Sequence, residues 1–521
     1  MSTPDRSRDL RIGIDVGGTN TDAVVLDGTD KVLAWTKQPT SDDVTGGMRT
    51  ALAHVLNGIE DPSRVSRVML GTTAATNAIV ERRRLRKVAV IRLGAPATSS
   101  IMPLHVWPAD LRQALSAGEL LAGGGNLIDG RPIAPLDVEA IRAFLGRVSG
   151  VADAVAITGV FSPIIADQER EVAEIAREML GPDIVISMSH EIGQLGLIQR
   201  ENSTVLNAAL HDVAQDVTSA LDQVLQERGL SASTFFAQND GTLMAMEFAA
   251  RYPVLTIGSG PANSIRGAAF LSGHQDAIVA DVGGTTTDFG VLVNGLPRES
   301  SAAVHIGGVA TNFRMPDVMA IGLGGGTIIR NEEGLIRVGP QSVGHQLTSQ
   351  ALIFGGETAT LSDAGVIAGR ASIGSSSRAT SRRDDLAAGL GIADEMFRDA
   401  VDTMSLGKAR PLIVVGGGAF LAPDHIPGAS DVIRPDHGDV ANAVGAAIAL
   451  ASGRWDVIVP ANQDRQSNID HACETARQRA VQAGADPASV EIVELVEVPL
   501  TYLPEPATRV SVKAAGPLAW L

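Results

Sequence analysis

Residues 12–26 read IGIDVGGTNTDAVVL, and residues 278–292 read IVADVGGTTTDFGVL. Laid over one another, they pair Asp15 with Asp281, Gly17 with Gly283, Gly18 with Gly284, Thr19 with Thr285, Thr21 with Thr287 and Asp22 with Asp288. Six polar or glycine positions recurring inside matching apolar flanks mark an internal duplication at an offset of 266 residues, about one large domain. Each copy reads as a strand, a tight turn and a second strand: an apolar run ends at the aspartate, GG-T is a turn signal, and a Val/Leu-rich stretch resumes. A P-loop or a dinucleotide fingerprint would instead open a helix after its glycines, and no G-x-x-x-x-G-K-[ST] is present.

The chemistry available to such a turn is anion binding. Paired glycines let backbone N–H groups point at phosphate oxygens with no Cβ in the way. Hydroxyls from Thr19, Thr21, Thr285 and Thr286 add donors. Asp15 and Asp281 leave strand ends, where a hydrated Mg2+ (or Mn2+) could bridge them to phosphate, since magnesium keeps most of its waters and takes few carboxylates. A single copy could be no more than a glycine hairpin. Two aligned copies suit a clamp that grips one triphosphate, ATP, from both sides. Downstream, VVGGGAF at 414–420 runs a strand into Gly416, Gly417 and Gly418. Its place after the second loop suggests that these glycines let adenosine lie against the backbone.

Working outward, strands alternate with helices, which argues for an α/β fold. RVMLGTT, KVAVIRL, DAVAITGVF and DIVISMSHEI read as strands, and 135–148, 165–180, 200–228 and 392–405 carry helical apolar spacing. The Ala-rich 439–452 reads as a buried helix whose small side chains permit close packing. Residues 371–386, ASIGSSSRATSRRDDL, read as a polar surface loop. The end of the chain, 454–521, reads as a small βαββ appendage. The expected division is 1–270 with the first loop, 271–453 with the second loop and the adenosine glycines, and 454–521.

Composition narrows the partners. With 42 basic and 59 acidic side chains the net charge is −17, a poor balance for nucleic-acid binding. The basic cluster Arg82–Lys87 reads as a solvated helix end. One cysteine, Cys473, excludes a disulfide framework, a cysteine zinc site and an intrachain iron–sulfur cluster. The polar start MSTPDRSRDL lacks a signal-peptide core, and no apolar run is long enough to span a bilayer, so a cytoplasmic protein is expected.

The order of first phosphate loop, second phosphate loop and glycine-rich adenosine motif resembles the actin, sugar-kinase and Hsp70 superfamily. Within it, the chain resembles the hydantoinase/oxoprolinase A-subunit family (N-methylhydantoinase A and acetone-carboxylase-like chains). The resemblance is carried by IGIDVGGTNTDAVV, LGTTAATNAIVERR (70–83), SHEIGQLGLIQRENSTVLNAAL (189–210), FFAQNDGTLM (235–244), GSGPANSIRGA (258–268), DVGGTTTDFG, GLGGGTI and VVGGGAFL, in the family's order. It implies duplicated actin-like (ribonuclease H-like) domains around a nucleotide cleft, the family's N-terminal region covering about 10–190. It also implies ATP-dependent phosphorylation of a cyclic amide oxygen (hydantoin, 5-oxoproline, lactam or imide), with a separate B-type subunit completing ring opening. No B-like region is present in this chain, and a homodimer is compatible with it. A small-molecule kinase and a nucleotide-gated regulatory subunit are the alternatives on this fold.

Substrate-side candidates are Thr72, Thr73, Thr76 and Asn77, which could be ligands or turn and cap residues. Glu191 could orient a nucleophile or be a structural carboxylate, and Asn239 and Asp240 could line the cleft or build a turn. Longer family members carry Asp-Ile-His where this chain has Asp317, Val318 and Met319, so oxoprolinase specificity does not transfer.

Overall fold

The computed structural model describes residues 9–18, 20–40, 44–192, 196–300, 303–460, 465–500 and 507–519. The duplication is written into its strand pairing. Leu10–Val16 pairs antiparallel with Asn20–Leu26, Asp15 opposite Asp22; Ala277–Val282 pairs antiparallel with Thr287–Val293, Asp281 opposite Asp288. Each leading strand takes a parallel neighbour on its other side, Val65–Thr72 in the first copy and Arg410–Val415 in the second. The turns match as well: the Gly17 N–H donates to Asn20 O at 3.0 Å, and the Gly283 N–H to Thr286 O at 2.9 Å.

The first copy lies near one edge of a nine-stranded sheet, with Val32–Pro39 outside it, and the second lies in a six-stranded one. A separate four-stranded parallel sheet, in the order Ser116–Gly123, Val88–Ala95, Ala154–Gly159, Val185–Met188, lies between the two copies in sequence. Its central strands, Val88–Ala95 and Ala154–Gly159, are buried because both faces are covered: helices Val138–Val148 and Asp167–Leu180 pack on one side, and Leu197–Ala209 on the other. Helix Leu197–Ala209 buries Arg200, Glu201, Asn202, Ser203 and Thr204 as well as its apolar residues. They are tolerated because they are paired. Arg92 holds Glu201 through two 2.6 Å contacts with both side chains 1% exposed, and the Trp107 indole donates to Asn202 at 2.7 Å.

Two helices cross between the large sheets. Ser259–Ser272 packs on the second sheet through Ile265 and Ala268, and Ala441–Ala447 packs on the first through Ala443, Ala446 and Ala447. Glycines set their separation. A Cβ on Gly267 would stand 1.9 Å from Ala441 O, and one on Gly445 would stand 1.9 Å from Asn263 O. The Ala-rich helix is shorter than its composition suggests, because Ala451 already pairs with Leu243 in the first sheet.

That pairing begins the C-terminal unit. Ala451–Pro460, Ala507–Gly516 and Glu491–Leu500 extend the first sheet outward from Leu243–Ala245, with helix Arg465–Gln482 covering one face through Ile469, Ala472, Ala476 and Ala480. Two sequence expectations change in detail. The 200–228 helix divides at Leu210 into Leu197–Ala209 and His211–Glu227. The surface loop at 371–386 contains a 3-10 segment, Ser376–Arg382, because Ala379 is fully buried in the second unit's core, and it runs into helix Arg383–Ser405. The basic cluster is a helix end: Arg82 caps Ala74–Glu81, and Arg82, Arg84 and Arg86 pair with Asp110, Asp216 and Asp212. Among the described residues, no helix is long and apolar enough to cross a membrane.

Candidate nucleotide site

Cross-strand partners present their side chains on one face of a sheet, so each loop contributes two aspartates: Asp15 with Asp22, and Asp281 with Asp288. The crossing helices join the two pairs. Asn442 Nδ2 donates to Asp15 Oδ2 at 3.3 Å, and the Ser264 hydroxyl contacts both the Asn442 side-chain carbonyl and the Asp281 carboxylate. A continuous polar path thus runs Asp15, Asn442, Ser264, Asp281, one helix residue on each side of the crossing. Lys37, on Val32–Pro39, donates to Asp22 Oδ2 at 2.6 Å and to Asp439 O at 3.0 Å.

Burial dominates the charge state. It pushes Asp15 up to about 6, against the Asn442 amide and Lys37, and Asp22 up to about 7, against Lys37. Asp288 is raised to about 7 by burial and then by the charge of Asp281, which is itself raised by burial. Asp15 Oδ1 and Asp22 Oδ1 are buried without a hydrogen bond among the described residues. Carboxylates that are desolvated, raised and incompletely satisfied suit an incoming cation. Among the described residues no three His, Cys, Asp or Glu are grouped to hold a metal by themselves. The unsatisfied carboxylate oxygens of Asp15 and Asp22 fit a hydrated Mg2+ that would complete its shell with water and phosphate oxygens.

The loops themselves are braced from outside. Thr21 is buried with its hydroxyl 3.2 Å from that of Thr40, which donates to Gly17 O at 2.8 Å. Its counterpart Thr287 donates to Leu323 O at 2.6 Å. Both hydroxyls are therefore engaged in holding their turns. Gly18, Thr285 and Thr286 are exposed and Gly283 and Gly284 half-buried, while Thr19 lies outside the described residues. Gly325 and Gly326 donate to Gly283 O and Gly284 O at 3.0 and 2.7 Å, and a Cβ on Gly324 would stand 2.7 Å from Thr285 N. The glycine triplet at 416–418 also abuts the second loop. The Gly418 N–H donates to Val282 O at 2.8 Å, and Gly416, at φ +85°, has no room for a Cβ, which would stand 2.4 Å from Asp281 Oδ1.

The substrate-side candidates separate. Thr72 is buried, its hydroxyl accepting from the Ala74 N–H at 3.1 Å, and Thr73 ties its N–H to Val16 O at 3.1 Å, joining this turn to the first loop. Thr76 is half-buried; Asn77 is exposed and donates to Thr73 Oγ1 at 3.3 Å. Glu191 accepts from Arg251 at 2.6 Å and from Tyr252 at 3.2 Å, so both of its oxygens are engaged. Asp240 accepts from Thr242 at its own turn and holds Lys513 at 2.6 Å, anchoring the C-terminal strands.

Sequence reading omitted Asp22 and Asp288 as site residues although the repeat had aligned them. Lys37 and Asn442 carried no local signal, and Ser264 lay within GSGPANSIRGA with no role attached to it. Their importance comes from where two helices and one strand end up.

Comparison with known proteins agrees with this layout. Residues 11–180 match the hydantoinase/oxoprolinase N-terminal region, and residues 200–375 match the hydantoinase/oxoprolinase domain. The caprolactamase subunit alpha of Pseudomonas jessenii is 28% identical over 433 residues, covering 76% of this chain and 61% of that protein. The acetophenone carboxylase gamma subunit of Aromatoleum aromaticum is 27% identical, covering 69% of this chain and 53% of that one. The 5-oxoprolinase of Saccharomyces cerevisiae is 25% identical, covering 69% and 32%. The chain thus spans about three fifths or less of the length of these relatives. Two solved structures share its fold. The ATP-dependent caprolactamase from Pseudomonas jessenii has a TM-score of 0.75 at 19% identity, covering 98% of this chain and 89% of that one. Nucleotide-free acetone carboxylase has a TM-score of 0.71 at 17% identity, covering 98% and 88%. With the duplicated loops, their sequence matches and this shared architecture in agreement, the chain belongs to the hydantoinase/oxoprolinase family.

Proposed function

We propose that this chain is the ATP-using subunit of a cyclic-amide hydrolase, which phosphorylates the carbonyl oxygen of a hydantoin, lactam, imide or 5-oxoproline-like ring to activate it for opening. The observation that carries the reading is the facing of two equivalent aspartate loops joined by Asn442 and Ser264. The relatives named caprolactamase and 5-oxoprolinase support the substrate class.

An unstrained amide is a poor electrophile, and phosphorylation of its oxygen makes the carbon susceptible to water. Phosphoryl transfer needs mainly positioning and neutralisation of charge. Bound Mg2+ would supply that neutralisation. Asp15 and Asp281 would hold its water shell, with Asp22 and Asp288 beside them. Gly17 and Gly283 close the two turns with their own N–H groups, the backbone N–H groups of Gly18 and Gly284 would orient the phosphates, and Gly416–Gly418 would seat adenosine. Thr72, Thr73, Thr76, Asn77 and Glu191 form the substrate-side set of this proposal, with Thr72 and Thr73 acting through the turn they build. A B-type partner subunit would complete ring opening; subunit names such as alpha and gamma among the relatives support a multi-subunit assembly. We place this activity in the cytoplasm.

The test is ADP and phosphate release with Mg·ATP across a panel of hydantoins, 5-oxoproline, lactams and imides, with ring opening followed in parallel. Coupled ADP release and ring opening is the expected result. A stable phosphorylated product would make the chain a kinase instead. Asp15→Ala and Asp281→Ala should both abolish turnover while circular dichroism stays unchanged; full activity in both would sink the two-loop clamp.

A further inference from the structure

The cleft has an unusual charge balance. Four aspartates converge on it, and among the described residues their ion pairs come to one, Lys37 with Asp22 at 2.6 Å. Lys37 begins on the outermost strand of the first sheet and reaches past Asp22 to the Asp439 carbonyl, 3.0 Å away. Its Cε lies 3.6 Å from the place a Cβ of Gly417 would occupy. One ammonium therefore joins Asp22, on the strand that follows the first loop, to the segment leading into the crossing helix, and its stem passes beside Gly417. Its side chain is 26% exposed, against 6% for that of Asp22, so the ammonium is the accessible member of the pair.

A polyphosphate entering beside these acidic groups gains from any cation within its reach. A lysine is suited to supply it, because its ammonium is a compact charge on a flexible four-carbon stem. The alternative, a purely structural pair, leaves unexplained why the cation also spans to Asp439 and why the second oxygen of Asp22 is left unsatisfied. We propose that Lys37 is the residue that contacts the polyphosphate chain of the nucleotide, moving from Asp22 to a phosphate oxygen and freeing the Asp22 carboxylate for the water shell of the metal. This assignment rests on the ATP reading of the cleft. It adds a charge switch to it: Lys37 pairs with Asp22 and exchanges that carboxylate for phosphate when the cleft fills.

The experiment is equilibrium binding of Mg·ATP, Mg·ADP and adenosine by titration calorimetry to the full chain and to Lys37→Met. A charge-assisted hydrogen bond of this kind corresponds to ~10–100-fold in affinity. The expected result is a loss of that size for ATP and ADP with adenosine unchanged. Because Lys37→Met strands the Asp22 carboxylate, the double variant Lys37→Met/Asp22→Asn is measured alongside; it should fold with a wild-type melting profile and still bind ATP weakly. Wild-type ATP affinity in either variant would overturn the assignment, as would an equal loss for adenosine, which would mark Lys37 as structural. Failure of the unmodified chain to bind ATP at all would overturn the nucleotide reading, and the assignment with it.

Discussion

The helix crossing gives the sharpest prediction, because its tolerance can be read in ångströms. A Cβ at Gly445 would stand 1.9 Å from Asn263 O, 2.6 Å from Asn263 C and 2.9 Å from its Cα. Carbon contacts are comfortable at about 3.5 Å, so Gly445→Ala requires the helices to part by roughly 1.5 Å. All three opposing atoms are backbone, so no rotamer change relieves the clash. Overpacking of this kind costs ~1–3 kcal/mol, and the upper part of that range applies where backbone must move. The same crossing carries Asn442 and Ser264, whose contacts join Asp15 to Asp281, so a parting of this size pulls the two loops out of register. A misplacement of about 1 Å is enough to lower a rate ~100-fold. Gly445→Ala should therefore lower the urea midpoint and weaken Mg·ATP binding together. The control is Gly391→Ala, on exposed surface of helix Arg383–Ser405, where a new Cβ meets nothing within 4 Å. If Gly445→Ala matches Gly391→Ala in both midpoint and nucleotide affinity, the crossing does not set the geometry of the site.

Other expectations follow from particular contacts. Asp288 is raised to about 7 by burial, so its contribution to stability is fully present below about pH 4 and lost as pH rises through 7; the stability of Asp288→Asn relative to the ligand-free wild type should increase between pH 5 and 8, and a flat difference in urea midpoints would contradict this. Glu201→Gln leaves the Arg92 guanidinium buried and uncompensated, which should cost ~3–5 kcal/mol in urea unfolding. Gly71→Ala would put a Cβ 2.3 Å from Asp15 Oδ1 and 2.6 Å from Asn263 Nδ2, both at side-chain ends that can move; it should weaken Mg·ATP binding by calorimetry while leaving the melting temperature nearly unchanged.

What was legible in the sequence was whatever repeats or alternates. The two DVGGT loops appear as paired strands with Asp15 opposite Asp22 and Asp281 opposite Asp288, because an apolar strand, a glycine turn and a second strand are local properties. Three strands of the four-stranded sheet were legible as apolar runs, KVAVIRL, DAVAITGVF and the start of DIVISMSHEI, whereas Ser116–Gly123, with the sequence SAGELLAG, was not. Lys37 was not, since nothing in TKQPT distinguishes it from any surface lysine; its meaning arises only where Asp439, far along the chain, comes to lie beside it. Ser264 and Asn442 were hidden inside helices whose small residues announced close packing without saying which hydroxyl or amide would face the cleft. Thr21 shows the converse. It was visible as a polar residue next to the phosphate turn, but its hydroxyl faces Thr40. The alternating runs VEIVELVEVP (490–499) and TRVSVKAAG (508–516) announced strands, while their membership of the first sheet depends on Leu243 finding Ala451.

That late pairing has a consequence for how the chain is made. The first sheet is begun by residues near the start, abandoned while the second unit is built, and finished by strands about two hundred residues downstream of Leu243. Until Ala451–Pro460 leaves the ribosome, Leu243–Ala245 is an open edge with its hydrogen-bonding groups unclaimed, the kind of edge that recruits strands from other molecules. Synthesis therefore leaves the nascent chain longest in its most adhesive form just before its final strands can seal it. Shortening the chain at residue 450 would make that passing state permanent.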